Sequence, residues 1–229
     1  MKNRLILGDG LLGSELVKQT GWDYISRKKN DIDFTDYSTY EYLLEPYNEI
    51  INCIAYTDTY SEDKDKHWKI NYAGVVDLVH LCNFSNKKLV HISSDYIYTH
   101  SKVDASEEDV PVHCRNWYGY TKLLSDGHVQ LKSKNYLLLR GTHKKEPFPY
   151  DDAWAHQVGN FDYVSIISEL YIKLIEKNIN GVYNIGTEKK TMYDLAKRTN
   201  IDVKSVGNLV DVSTPTNLTM SLKKLKKIL

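Results

Sequence analysis

Tyr118 and Lys122 stand four residues apart in the stretch NWYGYTKLL, the spacing that puts two side chains on one helix face, a turn apart. A phenol titrating near about 10 exchanges protons poorly at neutral pH. An ammonium beside it favours the phenolate and draws that pKa toward the working range, giving a group able to hand a proton to a carbonyl oxygen. Such chemistry also needs a hydroxyl to hold the oxygen, and HISSDYIY places Ser93 and Ser94 at the end of an apolar run. A third stretch, LILGDGLLGSEL, carries Gly8, Gly10 and Gly13 in the pattern G-x-G-x-x-G. Glycines there permit a tight turn and the close approach of a pyrophosphate, which meets the N–H groups and partial positive charge of the helix that follows. In a chain with eighteen tyrosines, Y-x-x-x-K is a weak signal alone. Its weight comes from order: glycine loop, serine at a strand end, then tyrosine and lysine on the next helix.

Bringing these groups together requires strands that end at a common edge. Short β-branched runs predict strands at 4–8, 23–27, 49–55, 89–94, 136–141 and 181–186, and helical patterns fall at 11–20, 38–46, 66–84, 116–133 and 163–178. In HWKINYAGVVDLVHLCNF the apolar positions Ile70, Ala73, Val76 and Leu81 recur with a helical period. Continuous apolar strands between amphipathic helices predict an α/β fold, a Rossmann-type doubly wound parallel sheet with a small C-terminal mixed α/β substrate lobe. Residues 1–142 form the dinucleotide-binding domain and 143–229 a short substrate loop and lobe packed as one unit with it. Pro147 and Pro149 exclude a regular helix from 143–160, which reads as a loop over the strand ends. The closing LTMSLKKLKKIL lines Leu222, Leu225 and Ile228 along one face of a docked helix.

Composition narrows the function classes. The chain has 229 residues, 41% hydrophobic, with thirty basic and thirty acidic side chains, so the charge excess that drives nucleic-acid binding is missing. No stretch approaches the roughly 20 apolar residues of a membrane span. Cys53, Cys82 and Cys114 show neither disulfide nor metal spacing, and the eight histidines form no metal motif, which predicts a soluble cytoplasmic protein without a metal site. His91, inside a predicted strand, reads as a satisfied core residue, whereas His143 and His156 lie in the loop that a substrate would meet. The second strand ends in Ser26, Arg27, Lys28 and Lys29, where an acidic residue normally holds the ribose diol of NAD. Cations and a hydroxyl suit a 2′-phosphate, so NADP(H) is favoured and NAD(H) stays open.

These motifs, in this order, resemble the extended short-chain dehydrogenase/reductase family, in its dTDP-4-dehydrorhamnose reductase-like branch. INCIAYTD is similar to the family's strand end beneath the cofactor, DIDFTD to its adenine-contacting stretch, and HISSDYIY to its S-T-D-Y-V-F segment. The resemblance implies Ser94, Tyr118 and Lys122 as the catalytic set, with Asn71 supporting a proton-relay water. It implies cofactor contacts from Gly8, Gly10, Leu11, Leu12, Gly13, Ser26, Arg27, Asp33, Phe34, Ala55, Tyr56, Thr57, Tyr118, Lys122, Gly141 and Thr142. The implied activity is hydride transfer to a keto-sugar, typically nucleotide-linked, by a homodimer formed through the helices near 66–84 and 116–133. Tyr96, where dehydratase relatives carry an acid, speaks against 4,6-dehydration. Two other roles known in the family remain open: a nucleotide-sugar epimerase, and a regulatory subunit like the β subunit of methionine adenosyltransferase.

Overall fold

The computed structural model describes residues 3–98, 102–109, 116–207 and 215–229; Cys114 lies outside the described residues. Strands β1 (Arg4–Leu7), β2 (Asp23–Ile25), β3 (Glu49–Asn52), β4 (Lys88–Ser93) and β5 (Tyr136–Arg140) alternate with helices α1 (Leu11–Thr20), α2 (Arg27–Asn30), α3 (Lys64–His67), α4 (Gly74–Phe84) and α5 (Trp117–Lys132). The later elements are β6 (His143–Lys144), β7 (Asp152–Trp154), β8 (Val158–Gly159), β9 (Asp162–Tyr163), α6 (Val164–Glu176), β10 (Gly181–Asn184), β11 (Lys190–Thr191), α7 (Met192–Lys197), β12 (Lys204–Val206), β13 (Asn217–Leu218) and α8 (Lys223–Ile228).

The main sheet runs β10-β5-β4-β3-β1-β2, with every pairing parallel. Alternation along each strand sorts its apolar residues to two faces. Leu5, Leu7, Ile50, Leu89 and Leu138 pack with Val75, Leu78 and Val79 of α4 and Val129 of α5. Ile6, Ile51, Val90, Ile92 and Leu139 pack with Leu12 and Leu16 of α1 and with Ile167, Tyr171 and Leu174 of α6. Both faces are therefore covered, as an all-parallel sheet requires. From β1 the chain moves outward to β2, then crosses back to β3 on the other side of β1. The switch point of the sheet thus lies between β1 and β3, where doubly wound folds bind ligands at the carboxyl edge.

Three local departures from the sequence expectations have physical causes. The helix expected over 38–46 is two 3₁₀ turns, Tyr37–Thr39 and Glu41–Leu44, opened by Asp36, whose carboxylate accepts the Ser38 N–H. The second strand stops at Ile25 because Ser26 caps α2. The helix over 66–84 contains a π-helical turn, Trp68–Ala73, in its first half. Beyond residue 143 the chain supplies α6 and β10 to the main core. It also builds a lobe in which β8 lies between β11 and β13, and β7 pairs with β12, around Phe148, Phe161, Tyr163, Met192 and Leu195. The terminal helix docks as its leucine face predicts, with Leu225 buried and Leu222 and Ile228 beside it.

A buried ion pair ties α5 to β5. Arg140 donates to both oxygens of Asp126, at 2.9 and 2.8 Å, and to the Tyr98 hydroxyl at 2.6 Å, while Ser93 Oγ donates to Asp126 at 3.0 Å. Breaking one side of such a pair leaves an unmatched charge in the interior. Asp126→Ala is expected to lower unfolding stability by about 3–5 kcal/mol in urea titrations. Adding Arg140→Met to that variant is expected to recover part of the loss, because the stranded guanidinium is gone.

Candidate active site

The glycine loop follows β1 at the switch point, and each glycine answers a different demand. Gly8 has φ +98, and a Cβ there would lie 2.8 Å from the Ile54 side chain. A Cβ on Gly13 would stand 2.1 Å from the Gly8 carbonyl oxygen, so only glycine lets α1 start this close to the loop. A Cβ on Gly10 would touch no protein atom within 4 Å. The missing side chain at Gly10 therefore serves the open space in front of the loop. Gly10 is also the N-cap of α1, no side chain caps that helix end, and Leu11 beside it is exposed. An uncapped ten-residue helix, open space and no side chain fit a dinucleotide diphosphate.

At the end of β2, Ser26 is buried and its hydroxyl is engaged: it donates to Asp9 Oδ2 at 2.9 Å and accepts the Lys29 N–H at 3.1 Å. Arg27 is exposed, and its charge helps the Thr35 hydrogen bonds hold the Asp33 carboxyl below its usual range. Arg27 rather than Ser26 is thus the group available to a 2′-phosphate. The Phe34 ring is buried in the core against Tyr40 and Gly74, which leaves its backbone for contact with an adenine.

Across the switch point, Asn71 fixes the segment after β3. Its Oδ1 accepts the Tyr56 N–H at 2.7 Å and its Nδ2 donates to the Tyr56 carbonyl at 2.9 Å. Asn71 belongs to the π-helical turn, a distortion that often marks functional positions, and here it turns the amide toward residues 55–57. Asn71 therefore shapes the cleft wall. Cys53, on the same segment, lies against Gly13 and close to Lys122, which links the glycine loop to α5.

Ser94 leaves the end of β4 and Tyr118 sits in the first turn of α5, whose N-cap Asn116 accepts the Gly119 N–H. The Ser94 hydroxyl lies close enough to the Tyr118 phenol to lower its pKa, so the two side chains face one cleft. The inner face of α5 is polar: Thr121, Lys122, Ser125 and Asp126 are all buried. Lys122 Nζ donates to the Ile92 carbonyl at 2.7 Å and stands 3.5 Å from His91 Nε2. One expectation is corrected here. Burial pushes the Tyr118 phenol up to about 12, the Ser94 hydroxyl pulls it down and the Asp95 charge raises it, while Lys122 is not among these influences. Burial in turn draws Lys122 down to about 8 against the opposing pull of Asp126. The ammonium holds the backbone of β4 instead of depressing the phenol.

Sequence reasoning missed Asp95, Lys144 and Tyr171 behind Ser94. Asp95 is fully buried; its Oδ1 receives the Thr142 hydroxyl and, at 3.3 Å, the Ser94 hydroxyl, whereas Oδ2 has no hydrogen-bond partner. Lys144 is half-buried nearby, with a pKa lowered by burial and raised by the Asp95 charge. His143 Nδ1 and the Tyr171 hydroxyl are also buried without partners, and the Tyr171 oxygen would lie 3.0 Å from a Cβ on Gly141. Asp95 was legible beside Ser94 in the motif, but Tyr171, inside an amphipathic helix, carries no sequence signal. His156 packs edge-on to Trp154. Among the described residues no cluster of His, Cys, Asp or Glu could hold a metal, and no helix is long and apolar enough to cross a membrane.

The family model described as RmlD substrate binding domain matches residues 2–143. The chain belongs to this family. The RmlD-family chain is 24% identical over 168 residues to the spore coat polysaccharide biosynthesis protein SpsK of Bacillus subtilis, a match covering 70% of this chain and 56% of that one. It is 30% identical over 94 residues to a dTDP-4-dehydrorhamnose reductase of Mycobacterium tuberculosis, covering 39% of this chain and 31% of the relative. The chain thus spans less than two thirds of the length of either relative. Among solved structures, a Bacillus anthracis dTDP-4-dehydrorhamnose reductase in complex with NADP superposes with TM-score 0.83 at 22% identity, covering 99% of this chain and 93% of that one. A Bacillus cereus UDP-glucuronic acid 4-epimerase in complex with NAD reaches 0.74 at 19% identity, covering 99% and 89%. These likenesses bear out the Rossmann-type fold expected for an RmlD-family chain.

Asp95 gives this site a pH signature. Burial lifts its carboxyl to about 6, above the roughly 3.9 of an unfolded chain. Between those values the folded protein keeps a proton that the unfolded chain has released, so stability falls as pH rises through the window. Urea unfolding at about pH 4 and about pH 7 is expected to show the wild type losing about 2–3 kcal/mol more than Asp95→Asn across that interval.

Proposed function

We propose that this chain is an NADP(H)-dependent reductase of a keto-sugar, with nucleotide-linked 4-keto-6-deoxy sugars as the substrate class. The observation that carries the proposal is the approach of Ser94 to Tyr118 at the carboxyl edge of the sheet, with Lys122 on the next turn of α5 and the glycine loop at the switch point. A phenol held near about 12 is fully protonated at neutral pH, which suits a proton donor. Ser94 would hold the reacting carbonyl oxygen and Tyr118 would give it a proton. Lys122 would bind the nicotinamide ribose, and Asn71 would keep residues 55–57 clear of the cleft. When bound, the reduced dinucleotide supplies the hydride. Gly8, Gly10, Gly13 and the α1 N-terminus would hold its diphosphate, with Leu11 and Leu12 flanking. Arg27 would take the 2′-phosphate, Asp33 and the Phe34 backbone the adenine, and Gly141 and Thr142 the nicotinamide end.

The likeness to the M. tuberculosis relative and the B. anthracis structure, both dTDP-4-dehydrorhamnose reductases, supports this substrate class, and the NADP of the latter supports the cofactor. We assign the chain to the cytoplasm and to a homodimer formed through α4 and α5. Phe84 and Leu131 on these helices are 85% and 82% exposed, an apolar surface that a second copy would cover.

NADPH oxidation with a panel of keto-sugars is the direct test. Tyr118→Phe is expected to lower kcat by at least about 10²-fold while leaving the NADPH dissociation constant within about twofold. Undiminished turnover in this variant overturns the assignment, and interconversion of sugar epimers without net NADPH oxidation identifies an epimerase instead. Light scattering at micromolar concentration is expected to give twice the chain mass, and Leu131→Glu is expected to return it to one.

A further inference from the structure

Two buried residues behind Lys122 have no part in the chemistry above. Asn52 ends β3 and His91 lies opposite it on β4, both at 1% exposure or less. The Asn52 amide can be oriented only one way: its Oδ1 accepts the Ile54 N–H at 3.0 Å, so Nδ2 is the atom facing His91 Nδ1, at 3.3 Å. An amide NH₂ only donates, so Nδ1 must carry the lone pair and the proton of the neutral ring sits on Nε2. The ring is neutral because burial and the neighbouring Lys122 charge hold its pKa well below the usual imidazole range. Its Nε2 stands 3.5 Å from Lys122 Nζ.

An Nε2–H aimed at an ammonium sets donor against donor. The contact becomes a hydrogen bond only when Lys122 is an amine, whose lone pair accepts from Nε2–H while one of its own N–H groups still donates to the Ile92 carbonyl. The other groups facing Lys122 do not rescue its charge. From the segment after β3 comes Cys53, a thiol that burial pushes up to about 12 and thus keeps neutral. From α5 itself comes Asp126, already paired with Arg140. Among the described residues Lys122 forms no ion pair, and a buried ammonium without a counter-ion favours losing its proton. Its pKa near about 8 agrees with this geometry.

We propose, on the footing of the reductase assignment, that His91 is a positioning residue: locked by Asn52 in its Nε2–H tautomer, it makes Lys122 exchange its proton near neutrality instead of remaining a fixed cation. The alkaline limb of turnover then belongs to Lys122 and is set from two residues away, through a side chain that touches neither substrate nor cofactor.

Asn52→Asp tests this by reversing the tautomer. The carboxylate keeps the acceptor for the Ile54 N–H but draws a proton onto His91 Nδ1, so Nε2 turns its lone pair to Lys122. The alkaline pKa of kcat/KM is expected to rise by about one unit or more. In a His91→Phe background the same Asn52→Asp change is expected to move it by less than half as much, since only the through-space charge remains. Equal shifts in the two backgrounds overturn the proposal. Nitrogen NMR of the wild-type chain without cofactor reads the tautomer and the Lys122 titration independently of turnover. Nε2–H on His91 and a Lys122 midpoint at least one unit below that of an ordinary lysine support the inference; Nδ1–H or an unshifted lysine refutes it. A chain with no reductase activity still returns both NMR readings, so failure of the reductase assignment and failure of this inference are told apart.

Discussion

The hydrogen bond from Lys122 Nζ to the Ile92 carbonyl, 2.7 Å long and wholly buried, sets the placement of everything at the sheet edge. It joins α5 to β4 two residues before Ser94. With α5 held at that depth, Tyr118, one turn earlier, arrives beside Ser94 and not above or below it. The helix cannot relax outward without leaving both a buried cation and a buried carbonyl unmatched, which makes its depth in the fold nearly a fixed quantity.

This docking explains why the inner face of α5 departs from ordinary amphipathic design. A surface helix normally buries an apolar stripe, whereas α5 buries Thr121, Lys122, Ser125 and Asp126. Each finds a partner: Asp126 with Arg140 and Ser93, Ser125 with the Lys122 carbonyl, and Thr121 with the carbonyls of Trp117 and Tyr118. A polar interior of this kind stabilises less than hydrocarbon would but admits few alternative packings, since a shift of one residue leaves several groups without partners. Val129, further along the helix, supplies the apolar anchor against the sheet.

Other buried polar atoms at the carboxyl edge of the sheet stand open. Asp95 Oδ2, His143 Nδ1 and the Tyr171 hydroxyl are buried without hydrogen-bond partners, each costing on the order of 1–3 kcal/mol. Other buried atoms, such as the Tyr40 and Ser168 hydroxyls, also lack partners, whereas Lys190 is satisfied through Thr187, Asp162 and two backbone carbonyls. The open Asp95 oxygen and Tyr171 hydroxyl beside Ser94 and Gly141 fit a cleft that completes its hydrogen bonding with a ligand.

Much of this was legible from residue order. Gly8, Gly10 and Gly13 marked the loop because their spacing belongs to a strand-to-helix turn, and the alternation of apolar strands with helical periods determined the doubly wound sheet, since a strand buried on both faces reads as a continuous apolar run. The spacing of Tyr118 and Lys122 likewise determined that they share one helix face. Tertiary structure alone decided what that face meets. Lys122 engages Ile92 and His91 rather than the phenol, Ser26 engages Asp9, and Asp95 and Tyr171 reach the same cleft from chain positions 76 residues apart in number. Local periodicity fixes which side chains point together within one element, whereas hydrogen-bond partners and burial depend on how elements stack, and the pKa values of buried groups follow from that stacking.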